Sequence, residues 1–337
     1  MPLRSFFCGG TNPGNDPLYY MQAVKSLLRL YEAKWGSKAS SSGGKSVPLV
    51  INTDGWVKSM GHDLLCSVIE EANPDHVVQL LATTKNKQFT VPTGGKWAIH
   101  GVEPWDPSGM VQPPRSSKDM RLYRWHQYFL AQQRLEQSTV TLQQLQNLHV
   151  LSEKIRLDDQ ISRAYASVTP LAVSFDSVDI GFAGTSVAPS QLLYSLNGSI
   201  VGLCVNTRRP PHVFGANTQS ADSEEEEGVG HSRAKGPPRI LLKPAHAPCL
   251  GVGLVRAVDV LQRLLFIMSP LPPSVIERVN LLVRGNFPLA SLVVDVVDPV
   301  QAPYVVTDVL ASEGTGAAAM QSRNNLKRKR DDKPTGK

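Results

Sequence analysis

Cysteine is scarce in this chain of 337 residues: Cys8, Cys66, Cys204 and Cys249 lie far apart, with no C-x-x-C pair. That spacing argues against a zinc ribbon or a disulfide framework and for a reducing compartment. The eight histidines form no H-E-x-x-H and no paired spacing with cysteine, so no metal site is expected. G-x-S-x-G is absent, which removes the commonest serine-hydrolase signature. No stretch approaches the ~18 apolar residues of a membrane helix, and Met1-Pro2-Leu3-Arg4 leads into too short an apolar run for a signal peptide. Net positive charge is also small in the body. The formal net charge is +6, but Gln321 to Lys337 holds seven basic residues and two aspartates, which leaves the rest at +1. The charge therefore says little about a basic nucleic-acid groove in the folded part.

What is present is length for two domains and enough apolar residues, 41%, for a sizeable core. Leu3 to Cys8 reads as a first strand. Gly9 to Asn15 reads as a loop, and Asp16 as a helix N-cap with Pro17 at the first helical position. Met21, Val24, Leu27, Leu28 and Tyr31 fall at helical spacing and predict a helix to about Trp35. Val47 to Ile51 is a second strand, Leu64 to Ala72 marks a second helix, and His76 to Leu81 is a third strand. This βαβαβ order predicts an α/β fold with a parallel sheet and crossover helices. Residues 83–114 read as an irregular excursion. A charged, aromatic helix follows from Ser117 to about Leu135, then a glutamine-rich one from about Thr141.

From Leu171 the period shortens. LAVSF, VDIGF, SIVGLC, GVGLVRAVDV, LLFIM, VNLLV and SLVVDVV are β-type runs between turn residues. They predict a mainly β domain over 165–310, interrupted by an acidic, disordered insertion at 207–238 and followed by a basic tail at 311–337. In that tail Leu326-Lys327-Arg328-Lys329-Arg330 reads as a nuclear address or an RNA-clinging arm.

Gly43-Gly44-Lys45-Ser46 imitates the end of a phosphate-binding P-loop. It follows a helix and runs into a strand, the reverse of the order the motif needs, and its composition is that of a flexible connector. The loop Cys8 to Asn15 has the right order but no lysine; it is either a plain strand-to-helix turn or a set of amides facing an anion. Asn52-Thr53-Asp54-Gly55-Trp56 is a tight turn after an apolar run. Gly55 permits close backbone approach there, and Trp56 is either a platform for a nucleotide base or a plug under the next helix. Arg121 and Arg124, three apart, share a helical face in RSSKDMRLYRWHQYF. That face is either merely solvated or an arginine lid over a transferring phosphoryl group, whose spreading negative charge calls for added cations.

Three of these segments, taken in order, carry a resemblance: FFCGGTNPGNDPLYY, then N-T-D-G-W-V-K-S-M-G-H-D-L-L, then Arg121 and Arg124 before Tyr128 and Phe129. Together with the ending APYVVTDVLASEGTGAAAMQSRNNLKRKR, they resemble the nucleolar polynucleotide 5'-hydroxyl kinase family of pre-ribosomal RNA processing. That family is related to the RNA kinase subunit of the pre-mRNA 3'-end cleavage machinery. The chain departs from the family string where Ser59 stands for a usual glycine and Asn12 for a usual serine. The resemblance implies a partial P-loop-type sheet over 1–150, with the phosphate-gripping loop upstream, so that an amino-truncated member is expected. It implies ATP and Mg2+ as cofactors and phosphorylation of RNA 5'-hydroxyl ends during rRNA processing. Thr53, Gly55 and Trp56 would bind the RNA end, and Arg121 and Arg124 would be catalytic. It further implies a nucleolar endoribonuclease subunit as partner and a location in the nucleus and nucleolus. The rival expectation is a non-catalytic scaffold in a pre-rRNA cleavage complex.

Overall fold

The computed structural model describes residues 2–36, 47–81, 89–103, 117–130, 163–165, 167–184, 187, 191–207, 240–241 and 247–287. The GGKS segment, the glutamine-rich helix, most of the 207–238 insertion, the SLVVDVV run and the basic tail lie outside these residues.

The first half opens with a loop containing one 3-10 turn, Pro13–Asn15. Helix α1, Pro17–Tyr31, begins as its sequence predicts: Pro17 occupies the first position and the Asp16 carboxylate accepts the Tyr19 N–H at 3.0 Å. Asp16→Ala removes that cap and is expected to cost about 1 kcal/mol of stability, read as a shift in the urea midpoint. A short π-turn, Glu32–Gly36, finishes the helix. Helix α2, Met60–Ala72, packs on α1, and Lys25 and Glu71 pair across their edge at 3.1 Å. Asn73, in the left-handed region at φ 40°, closes α2 and returns its N–H to the Ile69 carbonyl at 2.9 Å.

Strands β1, His76–Leu80, and β2, Ala98–Val102, pair in parallel from His76↔Ala98 to Leu80↔Val102. The small parallel sheet of the expected fold class is therefore present, but its strands are not all the expected ones. Strand β2 comes from the stretch expected to be irregular, and the segments at 3–8 and 47–51 are extended without joining a ladder among the described residues. The first of these is committed elsewhere. The Cys249 N–H donates to Ser5 O at 2.9 Å and the Asn286 N–H to Gly9 O at 2.6 Å, which ties residues 5–9 to the far end of the chain. In the second segment, the Val47 carbonyl accepts the hydroxyl of Tyr31.

Helix α3, Ser117–Phe129, leads towards the β domain. That domain comprises β3 (Leu171–Ser174), β4 (Asp179–Phe182), helix α4 (Leu192–Leu196), β5 (Ser199–Cys204), β6 (Ile240–Leu241), β7 (Cys249–Asp259), β8 (Leu264–Met268), helix α5 (Pro273–Ile276) and β9 (Leu281–Arg284). The strands form one seven-stranded sheet in the order β3-β8-β7-β5-β9-β4-β6. Neighbours are antiparallel from β3 to β9, and β9, β4 and β6 run parallel.

Alternation along each strand sends side chains to two cores. On one face Val201, Leu203, Val255, Ile267 and Leu282 pack with Leu192 and Leu196 of α4. On the other, Ile200, Leu254, Met268, Leu281 and Val283 pack under Phe7, Phe129 and Tyr165. Residues from the first half of the chain thus roof the second face. A buried cation completes the sheet: Arg284 donates from Nε to Ser195 O at 2.7 Å and from a terminal nitrogen to Gly285 O at 2.8 Å. Burial pulls its pKa down to about 10.

Candidate functional site

The loop at 9–15 is held by backbone geometry. Gly9 has φ +73°, and a Cβ there would stand 2.1 Å from the Cβ of Ala183, so only glycine fits. Gly285 approaches the Gly9 carbonyl from the end of β9, and Ala183, at the end of β4, fills the space where a Cβ on Gly9 would stand. The loop is therefore seated at the carboxyl ends of two parallel strands. Inside it, the Asn12 side chain accepts the Gly14 N–H at 2.7 Å, and the 3-10 turn delivers the chain to the capped start of α1.

Trp56 is half-buried, and two glycines account for its seat. A Cβ on Gly14 would come within 2.8 Å of the indole, and one on Gly61 within 2.4 Å of it and 2.3 Å of its own carbonyl oxygen. The indole is thus gripped between the 9–15 loop and the first turn of α2. Sequence spacing left it as a base platform or an interior plug; the structure shows the ring partly packed against the loop and α2. Thr53 and Gly55 are exposed, and a Cβ on Gly55 would meet nothing within 4 Å. The space beside that turn is open to an incoming group. Tyr20 of α1 borders the same turn: burial raises its pKa, with a further push from the Asp54 carboxylate.

Ser59, just before α2, has φ 50° and ψ −132° and offers no side-chain cap. The position suits glycine, which the family string carries there. Ser59→Gly is expected to add roughly 1 kcal/mol, seen as a raised thermal midpoint.

Arg121 and Arg124 are both exposed on α3. They project about 60° apart around the helix. Neighbouring positions of α3 anchor it to the β domain. Phe129 is buried, Trp125 meets Phe287 edge-on at 5.4 Å, and the Tyr128 hydroxyl receives the Val252 N–H at 2.9 Å and donates to the Val252 carbonyl at 3.2 Å. His126 is 7% exposed, and its Nδ1 lies 3.1 Å from the Tyr165 hydroxyl. Burial among apolar groups lowers its pKa to about 4. The expected site residues therefore lie on two separate elements. Thr53, Gly55 and Trp56 stand on the turn before α2, and the two arginines stand on a helix fastened to the β sheet. The fastening residues were missed in the sequence because each contact reaches across a long separation; only the density of aromatics from Tyr123 to Phe129 signalled a buried face.

Two features bear on nucleotide and metal binding. The start of α1 is already occupied by the Asp16 carboxylate, and the 9–15 loop carries no lysine or arginine. Among the described residues, no group of three His, Cys, Asp or Glu is placed to hold a metal ion. The described residues thus do not fit a nucleotide-phosphate cradle. Among them, no helix is long and apolar enough to cross a membrane.

Comparison with known proteins covers both halves. Residues 1–131 match the family model described as the mRNA cleavage and polyadenylation factor CLP1 P-loop, and residues 241–290 match the NOL9-like C-terminal domain. The chain is 28% identical over 313 residues to the polynucleotide 5'-hydroxyl-kinase NOL9 of Arabidopsis thaliana, covering 92% of this chain and 73% of that protein. It is 27% identical to the Danio rerio protein of that name, over 91% of this chain and 40% of the other, and 24% identical to the human one, over 91% and 43%. The chain thus spans about three quarters of the plant relative and less than half of these vertebrate ones. With similarity running through both halves, the chain resembles the polynucleotide 5'-hydroxyl kinases along more than nine tenths of its length.

Proposed function

We propose that this chain serves the phosphorylation of RNA 5'-hydroxyl ends during ribosomal RNA processing in the nucleolus. The observation that carries the reading is the similarity to 5'-hydroxyl kinases over more than nine tenths of the chain. The open turn at Gly55 beside a half-exposed indole supports it. In this reading the Trp56 ring stacks on the terminal base, while Thr53 and the Gly55 backbone border the sugar. Arg121 and Arg124 place positive charge where the equatorial oxygens of the moving phosphoryl group gather negative charge. ATP with magnesium would supply that group; no described residue is assigned to hold either. The partner is a nucleolar endoribonuclease subunit, and Lys327 to Arg330 form the nuclear address.

The test uses the purified chain, a short RNA with a 5'-hydroxyl end, magnesium and γ-labelled ATP. Label on the 5' end supports the proposal. Trp56→Ala is expected to weaken RNA binding by ~1–3 kcal/mol, the worth of one stacked base, in a fluorescence titration. RNA binding without transfer would favour the scaffold alternative. Binding unchanged by Trp56→Ala would remove the indole from the site.

A further inference from the structure

Three of the four cysteines, remote in sequence, gather at one corner of the β sheet. Cys204 ends β5 and Cys249 begins β7, and the two are register partners on antiparallel neighbours. Register partners on antiparallel strands hold their Cα atoms about 4.5–5.5 Å apart, within the roughly 4.4–6.8 Å that a disulfide spans, and an irregularity of the ladder between Leu203 and Cys204 falls beside this pair. Both are free thiols, 1% and 7% exposed, and they hydrogen-bond to each other. The Cys249 sulfur also lies 3.0 Å from the Gly251 carbonyl. Cys8, half-buried, stands close enough for its thiol to feel that of Cys249.

We propose that Cys204 and Cys249 are an oxidation-sensitive dithiol, closed to a disulfide by a peroxide-class oxidant. Burial alone would leave such thiols inert. Here the hydrogen bond from Cys204 stabilises the Cys249 thiolate and holds it below the usual thiol range against the opposing effect of burial, while Cys204 retains its proton. The Cys249 sulfur attacks one peroxide oxygen; the O–O bond breaks, water leaves and a sulfenic acid remains. The Cys204 sulfur then attacks the Cys249 sulfur, the S–O bond breaks, and the Cys204 proton departs with the oxygen as a second water. Two thiols and one hydrogen peroxide give one disulfide and two waters.

The position gives the modification a consequence. Residue 5 is bonded to the backbone of Cys249 on both sides, its carbonyl accepting the Cys249 N–H and its hydroxyl donating to the Cys249 carbonyl. The cross-link would pin β5 to β7 beneath the segment that leads into the 9–15 loop.

The experiment treats the intact chain with hydrogen peroxide, blocks remaining thiols and maps peptides without reduction. The expected product joins the Cys204 and Cys249 peptides, with a mass lower by two hydrogen atoms, and reverses with dithiothreitol. It should raise the thermal midpoint by roughly 5–10 °C, since it closes a long loop. Cys8→Ser should keep the cross-link; Cys204→Ser and Cys249→Ser should each abolish it. The proposal fails if Cys8 or Cys66 is oxidised while Cys204 and Cys249 stay reduced. It fails equally if Cys249 couples to Cys8, or if the cross-link forms only after unfolding.

Discussion

In a form of the protein that carries out the transfer, replacing Arg121 and Arg124 together by alanine is expected to lower turnover roughly 10³-fold. Each guanidinium removed from a phosphoryl-transfer site withdraws charge that acts mainly in the transition state. The loss should therefore fall on kcat, with KM for RNA little changed. Both residues are exposed on α3, and the anchoring contacts are made by other side chains, Trp125, Tyr128 and Phe129. Folding should survive, as circular dichroism and an unchanged thermal midpoint would show. Lysine at both positions restores charge without the planar fork and should recover part of the rate. Wild-type turnover in the double alanine variant would leave these side chains as a solvated face and nothing more.

The second large effect is expected in acid. His126 is buried, with its pKa held near 4 by burial, against 6.5 for the free side chain. Above pH 6.5 the imidazole is neutral in folded and unfolded chains, and the stability is intact. As pH falls from 6.5 towards 4, the unfolded chain takes up a proton that the folded chain refuses. Stability is lost across that window, by about 3 kcal/mol at its lower end. Urea midpoints at pH 7.5, 6, 5 and 4 would record this slope. His126→Phe should flatten it relative to wild type, whatever the carboxylates contribute in both. Parallel pH profiles for the two proteins would show that His126 keeps company with water.

Local chemistry made much of this fold legible. The Asp16-Pro17 start of α1 needs only one side chain and one ring, so it could be read directly. Six of the seven β-type runs from Leu171 onward became strands, because inward and outward positions alternate over a few residues; the seventh lies outside the described residues. What escaped was pairing. Leu3 to Cys8 has strand composition, yet Ser5 bonds to Cys249 and the adjoining Gly9 to Asn286, partners no local pattern can name. Strand β2 escaped for the opposite reason: Ala98, His100 and Gly101 give it little β-type signal, and neighbouring proline and glycine masked the rest. The candidate site divides the same way. Asn52 to Trp56 stood out as a turn, but the grip of Gly14 and Gly61 on the indole joins residues nearly fifty positions apart.

The bond between Ser5 and Cys249 spans 244 positions of chain. During synthesis Ser5 would wait, unclasped, until β7 had been made, and Gly9 would wait longer still for Asn286. Loops of such separation close slowly and leave apolar surface open meanwhile. Phe7 is left bare during that interval, so a nascent chain halted before β7 should attract chaperones through the stretch around Phe7. Release should coincide with translation of β9.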